Sequence, residues 1–309
     1  TITGTGREPR GEVRAGTVFR VKGAPHLLGA RTWVMGILNV TPDSFFDGGR
    51  YFDPGRAVDH GLRLADEGAD IIDVGGESSR PGSDPIPAEE EIRRVVPVIS
   101  SLRAQTRVLL SVDTTKFETA RAALEAGADV INDISSFEMD PRLLVLAAET
   151  GAGFILMHMQ GVPKTMQAAP RYDDVVAEVR DFLAEKIEIA AAYGLNKESL
   201  AVDPGIGFGK QLEDNCALIR ELETIAGLGR PVVMGVSRKS MIGKILDVPP
   251  EERLEGSLAA AVVGLARGAH ILRVHDVQST RRAARVADAI LSGPPGRENP
   301  ETREAGRAR

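Results

Sequence analysis

Eight short apolar runs, each followed by a stretch of helical periodicity, constrain this chain more than any other feature: residues 33–38, 71–74, 108–112, 130–132, 154–157, 200–202, 232–236 and 271–274. They are nearly continuous in apolar character and rich in Val and Ile, as strands buried on both faces are. Between them lie helical patterns such as ETARAALEAG and ERLEGSLAAAVVGLARG. Strand-then-helix units in series imply a parallel sheet, and eight is the number that closes a (β/α)₈ barrel. A weak internal echo agrees: EGADIIDVGG, AGADVINDIS and RGAHILRVHD each end a helix with Gly and enter a strand at the same offset, which is where a helix stops before a short loop. A doubly wound open sheet fits the same alternation; the count favours the barrel. TVFRVKGAPHLL, ahead of the first run, is expected to form a hairpin closing the barrel bottom.

The organisation follows. Residues 17–292 are read as one α/β barrel domain. Residues 1–16 are polar and Gly-rich, and 293–309 are charged and Pro-rich with almost nothing apolar; both are expected to be flexible, the tail disordered. Pro97 is expected to kink its helix. Lys and Arg number 38 against 44 Asp and Glu, and aromatics make up 4%, so the basic footprint of a nucleic-acid binder is missing. One cysteine, Cys216, excludes an intrachain disulfide or a multi-cysteine metal site and is read as packing. No run approaches the roughly 18–20 apolar residues of a membrane span. The opening TITGTGREPRGE has no apolar core of a signal peptide. The expectation is a cytoplasmic globular protein that binds neither nucleic acid nor membrane.

In a (β/α)₈ barrel the active site lies at the C-terminal strand ends. The eight runs deliver, in order, Asn39, Asp73, Asp113, Asn132-Asp133, His158, Asp203, Ser237-Arg238-Lys239-Ser240 and Arg273-Val274-His275-Asp276. Any one of these has an ordinary explanation as an interior hydrogen bond or helix cap. A polar group at every strand end does not. Asp113, Asn132 and Asp203 could together satisfy a planar heterocycle with several N–H donors and a carbonyl. Arg273, His275, Arg80, Ser79 and the Gly75-Gly76 amides would make a cationic pocket for phosphate oxygens, with Lys239 between the two. DPGIGFGK is not a nucleotide P-loop, its pattern being broken by Pro204 and Gln211. No dinucleotide fingerprint opens the first helix, and five scattered histidines do not make a zinc site.

Seven collinear segments, NVTPDSFFDGG (39–49), DVGGESSRPG (73–82), SVDTTK (111–116), INDIS (131–135), DPGIGFGK (203–210), GVSRKSMIG (235–243) and RVHDV (273–277), together resemble the dihydropteroate synthase family. The resemblance spans residues 17–292. It implies a folate-pathway transferase on a (β/α)₈ barrel that joins 6-hydroxymethyl-7,8-dihydropterin diphosphate to p-aminobenzoate, giving 7,8-dihydropteroate and pyrophosphate. Carried onto matching positions, it implies that Asp113, Asn132, Asp203 and Lys239 hold the pterin, with Met157 and Ile134 against its face. Asn39 would bind Mg²⁺ with the diphosphate, and Ser79, Arg273 and His275 would contact phosphate oxygens. Phe45, Arg80, Pro81, Phe208 and Ser240 would surround the aminobenzoate. The family often has Thr where this chain has Ser79, and the hydroxyl is kept. Members are commonly homodimers through the last barrel helices, and they are sulfonamide targets. Two alternatives stay open at this stage: a methyltetrahydrofolate–corrinoid methyltransferase, which shares the barrel and the Asp/Asn/Asp set but has no use for a diphosphate pocket, and a catalytically silent pterin-binding paralogue.

Overall fold

The computed structural model describes residues 16–41, 46–47, 51–52, 54–78 and 82–292. The expected roles of Phe45, Ser79, Arg80 and Pro81, and the expected behaviour of residues 1–15 and 293–309, lie outside the described residues.

An antiparallel hairpin, β1 (Thr17–Val21) and β2 (Ala24–Leu28), precedes the first barrel strand, β3 (Trp33–Asn39). A short antiparallel pair, β4 (Phe46–Asp47) and β5 (Tyr51–Phe52), sits in the loop after β3, where the sequence reading placed no strand. The chain then alternates: α1 (Pro54–Asp66), β6 (Ile71–Gly75), α2 (Ala88–Gln105), β7 (Leu109–Asp113), α3 (Phe117–Glu125), β8 (Val130–Asp133), α4 (Arg142–Thr150) and β9 (Gly153–Met157). It continues through α5 (Val175–Ala192), β10 (Leu200–Asp203), α6 (Leu212–Arg220), the single turn α7 (Glu223–Ala226), β11 (Val233–Met234), α8 (Ser240–Leu246), α9 (Leu254–Ala266), β12 (Ile271–Val274) and α10 (Val277–Ser292).

The eight-stranded sheet runs β10-β9-β8-β7-β6-β3-β12-β11, all parallel. Its two ends meet: Val202 bridges Val232 in parallel register, and the Val202 amide donates to the Pro231 carbonyl at 2.9 Å. The barrel therefore closes, and the open-sheet alternative falls. The last-but-one run is shorter than expected, with only Val233 and Met234 in regular pairing.

Period-two alternation sorts each strand between two cores. Val34, Leu38, Ile72, Val74, Leu110, Val112, Ile131, Phe154, Leu156, Val202 and Leu272 face outward into the helix layer. Met35, Ile71, Val130, Ile155, Ala201, Val233 and Ile271 face inward. The expected hairpin closes the bottom of this inner core, with Phe19, Val21 and Leu28 fully or almost fully buried in it. A side chain at Gly153 would meet the Phe19 ring at 2.7 Å, so the strand can take this plug only with glycine there. The three echoed glycines, Gly68, Gly127 and Gly268, all have φ near +100° (99°, 116° and 103°), the left-handed turn that ends a helix before the next strand. Pro97 lies inside α2, which continues on both sides of it. Cys216 sits half-buried in α6 against the outer core. Among the described residues no helix is long and apolar enough to cross a membrane.

Candidate active site

Inward alternation, continued past the apolar layer, is what builds the site. One step above Ile71 comes Asp73, and two steps above Leu109 comes Asp113; Val130 leads to Asn132, Ile155 to Met157, Ala201 to Asp203 and Ile271 to Arg273. The cavity at this end of the barrel is lined by Asn132, Ile134, Met157, Asp203, Phe208, Lys239 and Arg273, seven of the residues expected at the site. Ile134, Met157 and Phe208 join Met166 in a separate apolar cluster, one greasy wall opposite charged groups, which suits a flat, nitrogen-rich ring.

Arg273 organises the charged side. Its Nε donates to Asp73 Oδ2 at 2.7 Å and its Nη2 to Asp113 Oδ2 at 2.6 Å. Asn132 Nδ2 donates to the same Asp73 oxygen at 3.0 Å. One fully buried carboxylate thus fixes both the amide expected at the pterin and the guanidinium expected at the diphosphate. The sequence reading placed Asp73 at a strand end without a role. Its signal was present, since a carboxylate inside the apolar run IIDVG must find partners to be tolerated. Acids and cations interleave here, Arg273 lying between Asp73 and Asp113.

Electrostatics follow from burial at close quarters. Burial pushes Asp113 up to about 7, with Arg273 opposing and Asp73, Glu91 and Asp133 adding to the rise. Burial likewise raises Asp203, against the Gly205 amide, which donates to its Oδ1 at 2.7 Å, and against Lys239. Burial and then Arg273 bring Lys239 down to about 8, offset by Asp203 and Asp113. Its Nζ lies 4.2 Å from the centre of the Phe208 ring, a cation–π contact. For Arg273, burial works against the charge, but Asp73 and Asp113 outweigh it and hold the guanidinium cationic. His275 is brought to about 4 by burial and by Arg273 and Arg238, so at neutral pH it is uncharged. At an anion it can act only as a hydrogen-bonding group, the charge of that side resting on Arg273. Its Nδ1 lies 3.0 Å from Ser237 Oγ, which also accepts from the His275 backbone N–H at 3.2 Å.

The remaining expected residues are placed as follows. Asn39 ends β3, and its Oδ1 lies 3.9 Å from where a side chain at Gly75 would begin, with Asp113 Oδ2 at 3.7 Å from the same point. Ser240 opens α8 directly after Lys239 and is exposed, without a described contact to the cavity. Two rim residues do not face the cavity. His158 turns outward, edge-on to Phe182 at 4.9 Å, because Met157 takes the inward position. Asp133 turns outward too, accepting from Ser135 and Phe137 amides to shape its own turn.

The profile of the pterin-binding enzymes matches residues 35–275. The Escherichia coli K12 dihydropteroate synthase is 52% identical over 259 residues, 84% of this chain and 92% of that protein. The chain belongs to the dihydropteroate synthase family. The Xanthomonas albilineans dihydropteroate synthase with 4-aminobenzoic acid superposes with a TM-score of 0.83 at 49% identity, covering 89% of this chain and 99% of that one. The same enzyme in complex with 7,8-dihydropteroate gives a TM-score of 0.78 at 46% identity, over 88% and 99%. Membership in the dihydropteroate synthases leaves the corrinoid methyltransferase alternative without support.

Proposed function

We propose that this barrel condenses 6-hydroxymethyl-7,8-dihydropterin diphosphate with p-aminobenzoate to give 7,8-dihydropteroate and pyrophosphate. The observation that carries the reading is the convergence of Asp113, Asn132, Asp203, Lys239 and Arg273 from five separate strand ends on one cup. The carboxylates and amide take the ring N–H groups and carbonyl, Met157 and Ile134 cover its face, and Lys239 holds the ring edge. Arg273 and the His275 ring take phosphate oxygens. As the C–O bond to pyrophosphate breaks, positive charge spreads from the exocyclic methylene into the dihydropterin ring, where ionised Asp113 and Asp203 favour it. Arg273 favours the charge gathering on the departing oxygens. The aminobenzoate nitrogen supplies the pair for the new C–N bond and sheds one proton. It needs placement more than activation, and Phe45, Arg80, Pro81, Phe208 and Ser240 are proposed to provide it. Ser79 adds a hydroxyl at the phosphate.

Asn39 fits a Mg²⁺ role. Its amide oxygen is a hard ligand at the rim, and Mg²⁺ prefers few protein ligands together with water and substrate phosphates. When bound, the ion would neutralise charge on the leaving pyrophosphate. A sulfonamide, which has the shape of the aminobenzoate, would compete at that subsite. The protein is further proposed to be cytoplasmic and to pair as a homodimer.

Incubation of the purified protein with the pterin diphosphate, p-aminobenzoate and Mg²⁺ should release pyrophosphate and dihydropteroate, and EDTA should suppress this. Asp203→Ala should lose turnover while keeping its circular dichroism. Arg273→Ala should weaken the diphosphate-bearing substrate by roughly tenfold more than free dihydropterin, the scale of one charge-assisted contact. Pterin binding without product would return the silent paralogue, and equal losses for the two ligands would remove Arg273 from the phosphate.

A further inference from the structure

Lys210 is a buried amine that the reaction above does not use, brought down to about 7 by burial with Asp203 opposing. It is 3% exposed and closes the glycine-rich loop after β10. Its Nζ lies within hydrogen-bond distance of four acceptors drawn from two strand ends: His158 Nδ1 at 2.9 Å, the Gly205 and Phe208 carbonyls at 3.0 Å each, and the His158 carbonyl at 3.3 Å. Whether it carries two protons as an amine or three as an ammonium, each has an acceptor.

The loop it closes is soft in itself. Gly205, Gly207 and Gly209 all have positive φ (68°, 82° and 60°), and glycine carries the largest entropy cost of ordering. The path is nonetheless narrow: a side chain at Gly205 would meet the His158 carbonyl at 1.8 Å and one at Gly209 the Gln160 carbonyl at 2.2 Å. Three glycines permit this path, and something else must select it. Two groups of the cup depend on the selection, the Gly205 amide that donates to Asp203 and the Phe208 ring beneath Lys239. Both belong to residues whose carbonyls Lys210 holds.

We propose that Lys210, seated on His158, is a positioning residue for the transfer, locking the 204–209 loop so that Phe208 and Asp203 keep their places against the two substrates. The inference rests on the proposed reaction. Burial, and after it Lys210, bring His158 down to about 3, so a neutral imidazole is present to accept. Outward-facing His158 thereby acquires a reason to be histidine.

Lys210→Met keeps length and removes every donor. Expected is a rise of roughly 10- to 100-fold in KM for p-aminobenzoate with a fall in kcat, the scale of a misplaced positioning group. These values are normalised to the folded fraction measured by circular dichroism and thermal melting, so lost stability alone does not move them. His158→Phe removes one acceptor against Phe182 and should shift KM in the same direction by a smaller factor, while His158→Gln, which keeps an acceptor, should restore it. If Lys210→Met does not fold, the His158 pair decides. Folded Lys210→Met with both KM values and kcat within about twofold of the parent, or His158→Phe indistinguishable from the parent, overturns the proposal. A parent protein that makes no dihydropteroate overturns the reaction instead.

Discussion

At the scale of single residues, the site works by holding opposite charges in one poorly solvated space. Asp113 titrates near 7 and Lys239 near 8, so the free cup has an ionised acid beside an ammonium only in a narrow band. Below about 7 Asp113 takes a proton and loses the negative charge that strengthens its grip on a ring N–H; above about 8 Lys239 loses its charge. Affinity for the pterin diphosphate, measured by calorimetry across pH, should therefore peak between those values and fall on both sides. Asp113→Asn should flatten the acid limb and Lys239→Met the alkaline one. A profile unchanged in both variants would assign the limbs to other groups. Most of these residues were legible in the sequence because chemistry-bearing side chains at strand ends are conspicuous against apolar runs. Asp73 was seen but not understood: its neighbours in space, Asn132 and Arg273, are 59 and 200 positions away, and only the closed barrel brings them together.

At the scale of elements, alternation decides which strand-end group serves the cup. Met157 and His158 are adjacent, and so are Asn132 and Asp133; in each pair the first turns inward and the second outward. A list of strand-end residues cannot separate them until the inward register is known, and that register is set lower down, where Ile155 and Val130 join the inner core. The hairpin is the second lesson. Its apolar alternation marked it as a closure, and Phe19 proves to be the plug, fully buried against Gly153. Phe19→Ala should cost about 3–5 kcal/mol, the range for truncating a buried aromatic, read from the urea midpoint, with KM for both substrates unchanged because the plug lies at the far end of the barrel from the cup. A loss of substrate affinity in the folded variant would mean that the two ends communicate.

At the scale of the whole molecule, α9 and α10 present apolar side chains to solvent: Val263 is 48% exposed, Val286 61% and Ile290 76%. Such side chains on neighbouring helices are where the proposed homodimer would associate. Sedimentation should find the chain as a dimer, and Val286→Glu with Ile290→Glu should yield a folded monomer. A monomeric parent, or a dimer untouched by the pair, would place the contact elsewhere. The barrel count and the order of the motifs could be read directly from the chain. Which side chains of the last helices are exposed could not, because exposed and core-facing Val look alike until the helices are docked.

The closure between β10 and β11 reaches furthest. Seven of the eight seams of the wall are ladders, whereas this one rests on a single bridge, Val202 to Val232. β10 ends in Asp203 and the segment after β11 leads to Lys239, so a ring held by both, as proposed, would lie across the thinnest join of the wall and act as a rivet there. Deuterium uptake at the Val202 amide should accordingly run ahead of that at Val112 in the empty protein and slow when a pterin is added. In that picture the substrate finishes a cylinder that the polypeptide leaves only lightly stitched.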